Sequence, residues 1–350
     1  MTPRLQRWTA LAADWALPPR GRIPDRPDAG SALLRLLALW AVIGIHLNSF
    51  FPLSGASETV RCLVRLASAC CFWCVPAFVF LSGYHAMGGL ETLPVRTYWR
   101  KRLRRILVPL LFWSLVFTWM PSGSGWRGIR AVAHDWWNCA PAFHLWYIFM
   151  LAGLCLLAPL CGRLAKHGPA CAAVALFQMA VMADPLFWSS GLFRHPLAIS
   201  LPYAPLFTFG CRFSFRGIGR LAGRLTALSS VAYFCCMAVI ALRGPDRTPY
   251  PVFQYLGFGG VWGGLSLSVA LLRAGQSVSP ALSARLYRLS KAVFGSYFLH
   301  PIVLAAFAKV LPPGFANAAW GRLALLCATF ALSMSIAAQM LKAPFLRRVV

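Results

Sequence analysis

The 350-residue chain is poor in acidic residues, with eight Asp and Glu against 34 Lys and Arg, and only 12% of it is charged. Soluble domains carry about 25% charged residues. A soluble enzyme of this length would therefore lack the polar surface to stay in solution. Disordered and collagen-like chains are excluded by the same apolarity. A nucleic-acid binder matches the formal net charge of +26 but not the 59% hydrophobic content, so no nucleic-acid partner is expected. A disulfide framework is also missing. Of the 12 cysteines, Cys70, Cys71, Cys74, Cys155, Cys211, Cys235, Cys236 and Cys327 fall within apolar runs and read as small packing residues. The pair Cys71 and Cys74 has no second pair or nearby histidine to complete a metal site, so no metal is expected. The first thirty residues hold Arg4, Arg7, Arg20, Arg22 and Arg26 and no adequate apolar core, which argues against a signal peptide. No repeat and no stretch long enough for a separate soluble domain interrupts the rest.

What is present is a series of apolar runs. A bilayer core takes about 20 apolar residues per helix. Ten candidate spans follow: 33–53, 62–86, 105–121, 140–161, 169–188, 197–213, 224–242, 250–272, 291–311 and 321–341. With the N-terminus in the cytoplasm, 25 of the 34 cations fall in inner segments, among them the run from Arg96 to Arg105 and the basic C-terminus. Arg61, Arg65, Arg127, Arg130, Arg194, Arg243, Arg247, Lys309 and Arg322 fall on the outer side. The expectation is an all-α, polytopic integral membrane protein with about ten transmembrane helices and both termini cytoplasmic. It comprises a basic cytoplasmic tail over 1–30 and a single transmembrane domain over 31–350, in a bacterial inner (cytoplasmic) membrane. Membrane lipids are partners of such a chain, and a homo-oligomer is left open.

Carboxylates are missing from the middle of the spans. Only Asp184 falls inside one, near its outer end. Proton-coupled carriers commonly place carboxylates at mid-membrane, so their absence counts against that class. The ionisable residues that do enter the spans are histidines: His46, His85, His144 and His300. Imidazole is the least costly such group to bury, and the usual general base near neutral pH.

Arg35 and His46 share the first span. Eleven residues at 1.5 Å put them about 16 Å apart along the axis, and about three turns put them on nearly one face. An anionic end of a long ligand held at Arg35 would place its other end near His46. The plainer reading makes Arg35 a topology anchor and His46 a packing residue. Arg102 and Arg105 lie three apart on one helix face and could grip phosphate, although any inner loop can be basic. His144, Trp146 and Tyr147 open the fourth span, where aromatics line sugar sites as readily as they form interface belts. Tyr297 and His300 precede Pro301, which frees a carbonyl one turn back and kinks the helix.

Together these segments resemble the acyltransferase-3 family of membrane O-acyltransferases. Arg35 and His46 match its Arg-x10-His motif, and Arg102 and Arg105 with Pro109 match its Arg-x-x-Arg segment. Ser82-Gly83-Tyr84, His144-Leu145-Trp146-Tyr147 and Ser296-Tyr297-Phe298-Leu299-His300-Pro301 match three further signatures in order. Where many members carry a Gly-Val-Asp-Leu-Phe-Phe type of run, this chain reads Cys74-Val75-Pro76-Ala77-Phe78-Val79-Phe80. That variant is similar to the branch containing the enterobacterial common antigen O-acetyltransferase. The match lacks the fused periplasmic domain of some relatives.

The resemblance implies transfer of an acyl group, most simply acetyl, from cytoplasmic acetyl-CoA to a hydroxyl of a surface polysaccharide or lipid-linked glycan precursor. It implies acyl-CoA as co-substrate, with no permanently bound cofactor. Arg35, Arg102 and Arg105 would bind the acyl-CoA phosphates. His46 would be catalytic, as general base or transient acyl carrier, and His144, Trp146, Tyr147, Tyr297 and His300 would orient the acceptor. A backbone carbonyl, a hydroxyl or an amide such as Asn48 would have to orient His46. The competing class is a carrier or flippase for a polyprenyl-linked sugar or another anionic lipid; a third is a structural partner in a glycan-assembly complex.

Overall fold

The computed structural model describes residues 28–119, 129–138, 141–183, 198–242, 255–312 and 314–350. Residues 1–27 of the expected tail over 1–30, with Arg127, Asp184, Arg194, Arg243, Asp246 and Arg247, lie outside them, and its last residues, Ala29 and Gly30, already belong to the first helix. Every regular element among the described residues is helical.

Helix α1 (Ala29–Phe50) begins where Asp28 caps it, its side chain accepting from the Ser31 N–H. The expected span over 62–86 is two helices rather than one. Helix α2 (Glu58–Ala69) is capped by Ser57, and a turn over 70–73 separates it from α3 (Cys74–Thr92). The reason lies in the polar side of α2. Arg61 and Arg65 both pair with Glu58 on an exposed face, so α2 is amphipathic, whereas the first two turns of α3 are apolar. The third span extends further back than expected: α4 (Val95–Trp119) carries the whole basic run inside the helix, with Pro109 in its interior.

Helix α5 (Ile129–Trp137) is short. Helices α6 (Trp146–Lys166), α7 (Gly168–Ala183), α8 (Ser200–Arg216), α9 (Arg220–Leu242) and α10 (Phe258–Gly275) fall on five further expected spans. Amphipathic α11 (Pro280–Ser290), capped by Ser279 with Pro280 at its first position, leads into α12 (Val293–Val310) and α13 (Ala319–Met340).

Among the described residues, six candidate spans are long and apolar enough to cross a bilayer: α1, the α2–α3 stretch, α6, α9, α12 and α13. The remaining expected spans correspond to α4, α7, α8 and α10. Charge at the start of α4, shortness in α7 and α8, and glycine in α10 dilute their apolar character.

Helix α1 is central, packed against α3, α10, α11, α12 and α13, while α3 packs most extensively on α8. Glycine makes that last contact possible. A Cβ at Gly83 would lie 2.0 Å from the Phe207 carbonyl oxygen, and one at Gly210 would lie 1.9 Å from that of Phe80. Two backbones thus touch, as at small-residue seams between membrane helices. Phe80, Phe207, Phe298, Leu34 and Ile43 fill the fully buried interior. Outward, α9 exposes Leu225, Leu228, Val231, Val239 and Leu242, and α13 exposes Leu323 and Leu332. Such a surface suits lipid chains rather than water.

Candidate functional site

Two clusters lie along α1, one near each end. At its N-terminal end stand the predicted arginines. Arg35 on α1 is within electrostatic reach of Arg105, Asp28, Tyr287 and Arg102. Arg102 is partly buried and Arg105 exposed, and no ion pair neutralises either among the described residues. Three cations gathered around α1 repel one another, and Asp28 offsets part of that charge at Arg35. Arg102 is held in two ways. Its Nη2 donates to the His85 carbonyl at 2.7 Å, and its guanidinium lies over the Tyr98 ring, 5.8 Å from the centre.

His85 was not assigned to the site from its sequence position. Its Nε2 lies 2.5 Å from Ser31 Oγ on α1, and the charges of Arg35, Arg102 and Arg105 all act on its ring. It follows Ser82-Gly83-Tyr84 on α3, so the backbone seam with α8 that Gly83 creates also fixes the point from which His85 reaches α1. The contacts of His85 with Arg102 and with Ser31 span 17 and 54 residues of chain. The one sequence signal that could have found it is a histidine at the same inner end as the Arg-x-x-Arg run.

Toward the C-terminal end of α1 the histidines converge. The ring centroids of His46 and His300 lie 5.4 Å apart with planes 25° from parallel. His144 lies 5.6 Å from His300 and 5.6 Å from Tyr297. The Tyr297 hydroxyl donates to the His144 carbonyl. Phe143 is half exposed and meets His46 at 4.8 Å, His144 at 5.1 Å and Phe50 at 6.0 Å, forming a wall over the cluster. Tyr147 joins Tyr297 at 5.7 Å, and its hydroxyl interacts with Ser82. Trp146 faces elsewhere, grouping with Tyr255 at 5.9 Å and Tyr203 at 6.2 Å. Of the five residues expected to orient an acceptor, His144, Tyr147, Tyr297 and His300 therefore surround His46's neighbourhood, and Trp146 stands behind them.

The histidine cluster is largely buried. Among the described residues, His300 is fully buried with its Nε2 unpartnered, and His144 is 1% exposed with both ring nitrogens unpartnered. Buried polar atoms are seldom left without partners. The described residues contain no set of three or more His, Cys, Asp or Glu side chains arranged to hold a metal ion.

Asn48 does not orient His46. Its amide is committed to α13 and α2: Arg322 Nη1 donates to Asn48 Oδ1 at 2.8 Å, and Asn48 Nδ2 donates to Ser68 Oγ at 3.1 Å. Arg322, counted on the outer side at the start of the span 321–341, is buried. It is 5% exposed within α13, and its Nη2 donates to the Phe51 carbonyl at 2.7 Å. A guanidinium on the last carbonyls of α1 complements the negative end of that helix.

The acyltransferase domain model, Acyl_transf_3, matches residues 28–338. The chain belongs to the acyltransferase-3 family. No curated protein and no solved structure matches it. The matched stretch includes every residue of both clusters. As a member of this family the chain is a membrane acyltransferase, and the signatures that resembled the family in sequence meet in space as the two clusters on α1.

Proposed function

We propose that this membrane protein is an O-acyltransferase that moves an acetyl group from cytoplasmic acetyl-CoA to a hydroxyl of a surface polysaccharide or its lipid-linked precursor. It would lie in the inner membrane of a bacterium as a ten-span bundle with both termini in the cytoplasm. The observation that carries the reading is the pairing of the clusters on one helix. A net-cationic group of three arginines and a three-histidine group stand about 16 Å apart along α1.

That separation suits a ligand with a polyanionic head and a long neutral arm ending in the reactive group. In this reading Arg35, Arg102 and Arg105 hold the phosphates of CoA at the inner face. The pantetheine arm follows α1, and the thioester stands beside His46. The acceptor enters from the other side, past Phe143, and its sugar ring lies against Tyr147, Tyr297 and His144, with Trp146 outside them.

Acyl transfer then needs three things from the chain. The hydroxyl must be held against the thioester carbonyl, which converts a bimolecular encounter into a reaction between positioned groups. Its proton must be removed as the new C–O bond forms. Water must be excluded, since it would compete as acceptor, and the aromatic wall at Phe143 serves that end. His46 is the catalytic group of α1, at the point where thioester and hydroxyl meet.

The test uses purified protein in liposomes with acetyl-CoA labelled on the acetyl group. Release of CoA thiol together with label on a glycan supports the enzyme. Movement of a lipid-linked sugar with no loss of acetyl-CoA would replace it with a carrier. Comparison of surface glycans from a deletion strain and its parent by mass should reveal a missing acetyl increment.

A further inference from the structure

Pro301 sits inside α12, and a proline has no N–H to give to the carbonyl four residues back. That carbonyl belongs to Tyr297. It is not left empty: His300 Nδ1 lies 2.7 Å from it. A carbonyl oxygen only accepts, so Nδ1 must carry the proton. In the neutral ring the other nitrogen, Nε2, then holds a bare lone pair. Nε2 is fully buried, has no partner, and belongs to the ring stacked 5.4 Å from His46. His46, by contrast, makes ring contacts with Phe143 and His300 and has no hydrogen bond among the described residues to fix its tautomer.

We propose that His300 Nε2 is the base that takes the acceptor's proton, and that Pro301 sets the tautomer that makes it one. The proposal rests on the acyl-transfer reading above and divides the labour between the two stacked imidazoles. The acceptor O–H bond breaks and its proton passes to His300 Nε2. The acceptor oxygen forms a bond to the thioester carbonyl carbon, and the C–S bond breaks. The departing CoA thiolate takes the proton from His300 Nε2, which returns to its neutral starting tautomer. His46, whose ring is unconstrained, turns an N–H toward the thioester oxygen as negative charge builds there. Tyr297 serves twice in this arrangement: its carbonyl fixes His300, and its hydroxyl holds the His144 backbone. Pro301 is a positioning residue acting through His300.

The tautomer can be read without any turnover. The full-length protein is labelled with 15N-histidine in lipid nanodiscs, and His300 is assigned by the signal lost in His300→Gln. The wild type should show a protonated Nδ1 and a bare Nε2. Pro301→Ala restores an N–H for the Tyr297 carbonyl and fits a helix well, so it should fold and release His300 into a mixture of tautomers. In turnover with acetyl-CoA and lipid-linked glycan prepared from the native membrane, His300→Gln should lose about 100-fold or more, with acetyl-CoA affinity unchanged. Pro301→Ala should lower kcat and leave KM in place. If His300→Gln does not fold, the Pro301→Ala spectrum and its split between kcat and KM decide the matter. A wild-type His300 protonated at Nε2, or His300→Gln turning over at the wild-type rate, overturns the proposal. A wild type that shows the expected tautomer but never acylates a glycan overturns the acyl-transfer reading instead.

Discussion

Replacing Arg102 and Arg105 together with alanine should weaken acetyl-CoA binding by about 30-fold. The estimate follows from how each side chain is held. A hydrogen bond to a charged group contributes about 1.5–3 kcal/mol when shielded, but exposed ion pairs fall to about 1 kcal/mol or less. Arg105 is exposed and Arg102 only partly buried, so about 1 kcal/mol each is the appropriate figure. Two such losses give about 2 kcal/mol, which is about 30-fold in affinity. Arg102 already donates one N–H to the His85 carbonyl at 2.7 Å, so it meets phosphate with a guanidinium fixed at one edge. Arg102→Lys should therefore lose part of the affinity despite keeping the charge, because an ammonium cannot keep that bond and present a planar fork. Calorimetry with acetyl-CoA on protein in detergent measures all three. Raising the salt concentration should weaken the wild type more than the double variant, since the interactions removed are the screened ones. An unchanged affinity and an unchanged salt dependence in the double variant would reduce the arginine run to a signal of topology.

Other outcomes follow from the packing. Gly83→Ala forces a Cβ to 2.0 Å from the Phe207 carbonyl oxygen, so the α3–α8 seam must part. It should cost about 1–3 kcal/mol, and adding Gly210→Ala should cost less than it does alone, because the same seam has already opened; thermal unfolding of the three variants checks both. Asn48→Ala should destabilise by about 1–3 kcal/mol by leaving Arg322 short of a buried partner. A double-mutant cycle with Arg322→Met should return a coupling of at least about 0.5 kcal/mol, and additivity within error would refute the contact. Leu228→Ala on the outward face of α9 should leave thermal stability in lipid within about 0.5 kcal/mol of the wild type.

The part of the site that could be read in sequence was the part set by local spacing. Arg35 and His46 share one uninterrupted helix, so the eleven-residue interval alone put them on one face. Arg102 and Arg105 are one turn apart. Tyr297, His300 and Pro301 lie within one turn, so the freed carbonyl was visible before the helix was. What could not be read was set by contacts between helices. His85 belongs to the arginine cluster only because α3 meets α1 and α4 there. Arg322 read only as an outer-side cation because its partners, Asn48 and Phe51, lie more than 270 residues away in the chain. Uniform apolarity explains much of this loss. A helix that is hydrophobic all round has no polar stripe to say which side faces a neighbour, so the isolation of Trp146 from the histidines left no trace. The division of the second span into α2 and α3 was partly visible: Glu58, Arg61 and Arg65 mark a polar face, but the intervening turn at Cys70–Trp73 carries neither proline nor glycine.

The central claim is that the histidine cluster on the C-terminal half of α1 performs acyl transfer to a hydroxyl. The most direct measurement is the rate at which His46→Ala, reconstituted in liposomes with labelled acetyl-CoA and lipid-linked glycan, moves label to the glycan. The account predicts a folded protein that binds acetyl-CoA with wild-type affinity and loses about 100-fold or more of the transfer rate. A folded His46→Ala protein that binds acetyl-CoA and labels the glycan at the wild-type rate would contradict it.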